Sequence, residues 1–135
     1  MVRDEEAIAK TFRDYVQSFQ SLQARATVSY LQVPFVFISD QGMRVLVDPG
    51  SLETFIGQVM ESLKGRAFSR SEITDMRVNQ ISEKIAVVSV RRTRYKADGS
   101  ELERVGETYT FRKLDHDWKI AAALVHDPGV ILTVA

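Results

Sequence analysis

An α+β fold, with helices covering one face of a curved and mainly antiparallel sheet, follows from three features of the sequence. In the first half, apolar residues recur at steps of three and four, the period of an amphipathic helix. From Ala67 onward that spacing gives way to alternation, sustained through four long stretches. The junctions between those stretches are turn-forming groups: Ser82-Glu83-Lys84, Asp98-Gly99 and Asp115-His116-Asp117. Helices followed by a run of strands point to helices gathered on one side of a sheet.

Taken in order, Asp4 to Gln20 carries Ile8, Phe12, Tyr15, Val16 and Phe19 on one side and Lys10, Arg13, Asp14 and Gln17 on the other. Its acids lie in the first turn, where the helix dipole favours them. A second, shorter helix is expected from about Leu22 to Leu31, ended by Val33-Pro34, because the residue before proline avoids helical angles. Phe35 to Ile38 then reads as a short strand, Asp40-Gln41-Gly42 as a turn and Met43 to Val47 as the returning strand. Asp48 or Ser51 can cap a third helix that places Leu52, Phe55, Ile56, Val59, Met60 and Leu63 on one side, ending at Lys64-Gly65-Arg66. The four long strands are expected at about Ala67 to Ile81, Ile85 to Lys96, Leu102 to Leu114 and Trp118 to Asp127. No linker or repeat divides the chain, so residues 1–135 read as one domain.

Composition narrows the function classes. With 18 Lys and Arg balanced by 18 Asp and Glu, the 135 residues generate no net field for nucleic acid or an anionic membrane. The absence of cysteine removes disulfides, thiol nucleophiles and thiolate metal ligands. The two histidines, His116 and His126, lie on a turn and a strand end without clustered carboxylates around both, so neither a metal nor another cofactor is expected. No apolar run reaches the ~18 residues of a spanning helix, and the acidic N-terminus lacks the layout of a signal peptide. A cytoplasmic location is the expectation.

Strand register decides which side chains meet. A two-residue turn at Asp98-Gly99 places Lys96 opposite Glu101 and Arg94 opposite Glu103, both pairs of opposite charge, which explains the run Arg91-Arg92-Thr93-Arg94-Tyr95-Lys96 as paired strand ends. The same register sets Arg92 against Val105, Val90 against Glu107, Val88 against Tyr109 and Ala86 against Phe111. A further turn at His116-Asp117 sets Phe111 against Ala122, Tyr109 against Leu124 and Glu107 against His126. One sheet face is then apolar and aromatic, interrupted by Arg92, Glu107 and His126, and is assigned to the helix side. The other, with Ile85, Val87, Ser89, Arg91, Thr93, Thr108, Thr110, Ala121, Ala123 and Val125, suits a subunit contact. Charges converging in an apolar interior are either mutually satisfied or await a ligand.

The helix pattern Ile8, Phe12, Tyr15, Phe19, the passage Tyr30 to Ile38, the helix from Ser51 and the ending Phe111 to Ile120 with its Trp118-Lys119-Ile120 together resemble the NTF2-like superfamily, also called SnoaL-like or cystatin-like. The resemblance covers essentially the whole chain and implies a cone of helices on a curved sheet, here about three N-terminal helices against four long strands plus a short hairpin. The superfamily spans isomerases, cyclases, dehydratases, transport adaptors and oligomerisation hubs, so the fold sets no function. Tyr15 and Tyr30 match tyrosines that serve the oxyanion hole of its ketosteroid isomerases. A third tyrosine would fall at Ile56, and the two acids near Ile38 and Thr110, which speaks against steroid isomerisation. By its distance from Gly99, Arg92 matches a pocket arginine of the kinase hub domains, while the second such arginine falls on Tyr109.

Three readings remain open at this level. The first is a binding protein for a small, largely apolar ligand, with Tyr15, Tyr30, Arg92, Tyr109 and Trp118 as contacts. The second is a cyclase, dehydratase or isomerase in which His126 and Glu107 move a proton and tyrosines hold an oxyanion. The third is a non-catalytic dimerisation module. The apolar tail after Pro128-Gly129 is expected to join the sheet face in a homodimer contact, because in water it would be a liability.

Overall fold

The computed structural model describes residues 2–133. Helix α1 (Glu5–Gln20) begins with Glu5 and Glu6 and buries Ile8, Phe12, Tyr15, Val16 and Phe19, the stripe read from the sequence. Leu22 then adopts a left-handed conformation with φ 57°, which interrupts helical geometry, so α2 (Ala24–Val28) is only five residues long and shorter than its spacing suggests. Strand β1 (Leu31–Ser39) starts before the proline rather than after it, because Leu31 already pairs with Ile120. The Val33-Pro34 peptide is cis, and the register shifts between Leu31 and Val36, where a proline that lacks an N–H must be passed.

Strand β2 (Gly42–Leu46) returns antiparallel along β1 through the Asp40-Gln41 turn. Asp48 caps α3 (Pro49–Gly65): its Oδ1 accepts the Ser51 N–H at 2.8 Å, and Pro49 occupies the first turn, where its missing N–H costs nothing. Strands β3 (Phe68–Ser82), β4 (Ile85–Lys96), β5 (Glu101–Leu114) and β6 (Asp117–His126) follow as a meander. The hairpin expected to stand beside four long strands is part of the same sheet. β1 runs parallel to β6, giving one mixed six-stranded sheet of order β2-β1-β6-β5-β4-β3.

The helices cover the sheet face that carries Val88, Val90, Tyr109, Phe111 and Ile120. Phe12 sits at its centre, its ring 5.0 Å from that of Tyr109 and 6.5 Å from that of Phe111. Burying such a side chain contributes about 1.5–3 kcal/mol. At the start of α1, Asp4 Oδ2 accepts from Lys113 Nζ at 2.7 Å and Trp118 Nε1 at 3.1 Å, tying the helix to the β5–β6 hairpin. Among the described residues, no helix is long and apolar enough to cross a membrane.

Two turns differ from expectation, with unequal consequences. At the β4–β5 hairpin the Lys96 N–H donates to the Ser100 carbonyl at 2.9 Å, so the loop is Ala97-Asp98-Gly99, with Gly99 in the left-handed region at φ 87°. Tyr95 therefore faces Glu101, and the Lys96 to Glu101 pairing does not form. A bulge before Arg94 absorbs the extra residue, after which every expected pair from Arg94 with Glu103 to Ala86 with Phe111 is present.

The β5–β6 turn is Asp115-His116, one position earlier than expected, and Asp115 takes φ 56°. A bulge between Phe111 with Ile120 and Thr110 with Ala122 leaves Ala121 as the extra residue. Beyond it Tyr109 faces Ala123 and Glu107 faces Val125. Ala123 and Val125 thus point to the helices, while Ala122, Leu124 and His126 point to the opposite, outer face. The expected meeting of Glu107 with His126 does not occur.

The tail folds back on the outer face of its own sheet. Arg91 Nε donates to the Pro128 carbonyl at 2.5 Å, and the Leu132 N–H donates to Ser89 Oγ at 2.8 Å. Beneath the tail Ser89 Oγ meets Thr108 Oγ1 at 3.0 Å, both residues buried. Val134 and Ala135, part of the tail expected at a dimer contact, lie outside the described residues. A Cβ on Gly106 would lie 2.6 Å from the Asp127 carbonyl oxygen and 2.8 Å from Pro128 Cα, closer than side chains approach backbone. Gly106→Ala is expected to cost about 1–3 kcal/mol as the tail is pushed off the sheet, measured by urea unfolding. Unchanged stability would show that the tail is not seated on Gly106.

Candidate functional site

Between the helices and the inner sheet face lies a cavity of about 190 Å³. Its apolar wall includes Phe19 from α1, Phe35 and Phe37 from β1, Phe55 and Ile56 from α3, and Val125 from β6. Its polar lining is Tyr15, Arg92, Arg94, Glu107 and Tyr109. Alternation along β4 puts Arg92 and Arg94 on the same face. The β4–β5 register sets Val105 opposite Arg92 and Glu107 opposite Val90, so Arg92 reaches Glu107 diagonally.

That contact dominates the interior. Arg92 Nε donates to Glu107 Oε1 at 2.7 Å, Nη2 donates to the same oxygen, and Nη1 reaches Ser71 Oγ at 3.4 Å. The side chains are only 4% and 8% exposed, so neither charge has appreciable access to water. Tyr15 and Tyr109 stand beside this pair on the cavity wall, their ring centroids 5.7 Å apart in an edge-on arrangement. Burial would raise the Glu107 pKa, but the charge of Arg92, then that of Arg94, the nearby Tyr109 hydroxyl and the Arg92 bonds outweigh it and hold the carboxyl below its ordinary value. Burial likewise works against the Arg92 cation, and the Glu107 charge more than restores it. Burial and the neighbouring Glu107 push Tyr15 up to about 12 and Tyr109 well above its ordinary value. At neutral pH the interior therefore holds a bound ion pair and two protonated phenols.

Of the residues singled out in the sequence, Tyr15, Arg92, Glu107 and Tyr109 meet in this cavity and the other three do not line it. Tyr30 is half-buried against the core, and its carbonyl accepts the Ile120 N–H at 2.9 Å. Trp118 is buried at the start of β6 with its indole N–H on Asp4. His126 lies along an open groove of about 610 Å³ with Asp40, Gln41 and Asp127. Both its ring nitrogens are engaged: Nδ1 donates to the Asp127 carbonyl at 3.0 Å, and Nε2 bonds Thr108 Oγ1 at 2.7 Å. Among the described residues, no group of His, Asp and Glu could hold a metal ion.

Sequence reasoning missed Arg94, which it treated only as half of a hairpin ion pair. Its place two residues from Arg92 was the available signal, since residues i and i+2 of a strand share a face. Arg94 does bond Glu103, Nη1 to Oε2 at 2.5 Å, yet its guanidinium also lines the cavity.

Glu107→Gln leaves Arg92 buried without a counter-charge and is expected to cost about 3–5 kcal/mol, whereas Arg92→Met combined with Glu107→Leu recovers most of that loss. Because the folded pKa of Glu107 is depressed, its contribution is complete above the unfolded value of about 4.3 and disappears as pH falls through the lower folded value. Urea unfolding from pH 7 to pH 2 reads both effects. An acid limb equally steep in the double variant would remove Glu107 as its source.

A family model described as NTF2-like protein (DUF6841) matches residues 4–128. No curated protein matches the sequence. Among solved structures, an NTF-2 like protein of unknown function from Shewanella oneidensis MR-1 superposes with a TM-score of 0.74 at 12% identity, covering 93% of this chain and 100% of its own. A domain of unknown function with a cystatin-like fold from Nostoc punctiforme PCC 73102 gives 0.72 at 17% identity, covering 93% and 78%. Aln2 from a Streptomyces species gives 0.72 at 12% identity, covering 91% and 89%. At these identities the likeness is one of fold.

Proposed function

The chain belongs to the NTF2-like family DUF6841, and we propose that it is a cytoplasmic, non-catalytic binding protein whose cone holds a small, largely apolar molecule with one polar end. The observation that carries this reading is a cavity of about 190 Å³ whose central buried charges, Arg92 and Glu107, satisfy each other. At about 30 Å³ per water the space holds roughly six water volumes, below the typical ~300–1,000 Å³ of small-molecule sites, so the ligand is small. Proton transfer finds little support: Glu107 is held ionised by Arg92 and is a poor acid and a weakened base, and His126 sits on the other face of the sheet. Benzyl alcohol is expected to bind, seen by calorimetry and as an upward shift in melting temperature. Ala123→Phe, which fills the cavity, should abolish both signals. Absence of binding by the wild-type protein, or equal binding by the filled variant, would refute the reading.

A homodimer through the outer sheet face forms part of the proposal, favoured by where apolar surface remains. Alternation with buried Leu46 turns Met43 and Val45 outward, exposed at 62% and 52%. Across the same face Ile85, Val130 and Leu132 are also exposed, the last two on the folded-back tail. Two apolar patches flanking one face allow a two-fold axis to place each patch on the other of its mate. Sedimentation equilibrium is expected to show a dimer that Met43→Glu with Val45→Lys converts to monomer, and a monomeric wild-type protein would disprove it.

A further inference from the structure

The polar end of the ligand can be assigned from the charges around the cavity, an inference that rests on the binding reading above. Arg92, Arg94 and Glu107 line the space, so its lining carries one positive charge in excess. Arg92 is committed to Glu107, whose Oε1 accepts from both Nε and Nη2 of the guanidinium. Neither can turn to a ligand without leaving the other buried and bare, at the cost attached to unpaired buried groups.

Arg94 is held differently. Its partner Glu103 is also grasped by Arg66, whose Nη2 donates to Oε1 at 2.8 Å and Nη1 to Oε2 at 3.3 Å. Two arginines thus share one carboxylate, and Arg66 covers both its oxygens. Arg94 spends a single Nη1 contact on Glu103, among the five N–H donors of a guanidinium. It can therefore meet an anion with its remaining donors, or swing from Glu103 altogether, while Arg66 keeps that carboxylate paired. The Arg94 side chain is 14% exposed, dry enough to strengthen a charge-assisted bond, whereas Arg66 is 45% exposed and Glu103 27% exposed.

We infer that Arg94 is the specificity-determining residue of the cavity and that the molecule bound there is a small monocarboxylate. Its apolar body lies among Phe19, Phe37, Phe55 and Val125, and its carboxylate takes two parallel N–H bonds from the Arg94 fork. A dianion would meet only one unit of excess charge, and an ammonium would face the excess itself.

Calorimetry of the whole protein with benzoate, benzyl alcohol and benzylamine tests this. Bonds to charged groups contribute about 1.5–3 kcal/mol, so benzoate is expected to bind at least about tenfold more tightly than benzyl alcohol, and benzylamine most weakly. Arg94→Gln should erase the preference for benzoate. Arg66→Gln should reduce it, because Glu103 then depends on Arg94 alone, and as Arg66 is largely exposed this variant decides the matter should Arg94→Gln fail to fold. Benzyl alcohol bound as tightly as benzoate would overturn the carboxylate assignment while the binding reading stands. A preference for benzoate that survives either substitution would overturn the role of Arg94. Failure of all three probes to bind would overturn both.

Discussion

The pairing of Arg92 with Glu107 is the constraint around which the interior is arranged. A guanidinium and a carboxylate taken out of water are tolerable only when each finds the other at hydrogen-bond distance, and here they stand on neighbouring strands one diagonal apart. That condition ties β4 to β5 in a single register, since a slip of one residue would send one of the charges to the outer face. It also governs the surroundings. Burial and the Glu107 charge keep the neighbouring Tyr15 and Tyr109 phenols protonated, and both rings pack against Phe12 at the centre of the core. Much of the polar chemistry inside the cone is therefore spent on making its own burial tolerable, and what remains for a ligand lies at the next turn of the pleat, on Arg94.

The sequence made most of the architecture legible because its signals were long and redundant. The stripe of α1, the cap and stripe of α3, and the alternation of β4 and β5 each rest on several residues that agree. The β4–β5 pairing survived even a wrong turn length, because a bulge beside Tyr95 restored the register that the opposite charges of Arg94 and Glu103 require. Illegible features were those that hang on a single residue. Nothing in Ala121-Ala122-Ala123 marks which alanine is the extra one, since all three fit either face equally well. That one position decides whether Val125 or His126 enters the cone. The early start of β1 is similarly decided by tertiary pairing, in this case of Leu31 with Ile120, rather than by local preference.

The candidate site divides along the same line. Tyr15, Arg92, Glu107 and Tyr109 were found because they come from the redundant part of the pattern. His126 was misplaced by the alanine bulge. Arg94 was overlooked because its ion pair with Glu103, correctly expected, seemed a complete account of the residue. A side chain with several donors can serve a surface carboxylate and an interior space together, and pairing arithmetic alone does not reveal the second role.

The parallel seam between β1 and β6 carries a consequence for how the cone comes into being. β1 lies near the beginning of the chain and β6 near its end, yet they are adjacent in the sheet, and Phe37 and Val125 from these two strands stand on the same cavity wall. The meander β3 to β6 can form from neighbours in sequence, and so can the β1–β2 hairpin. The enclosure itself cannot. The first hairpin joins the rest of the sheet only through β6, so the hollow in which a ligand would sit closes only once the whole meander has been made.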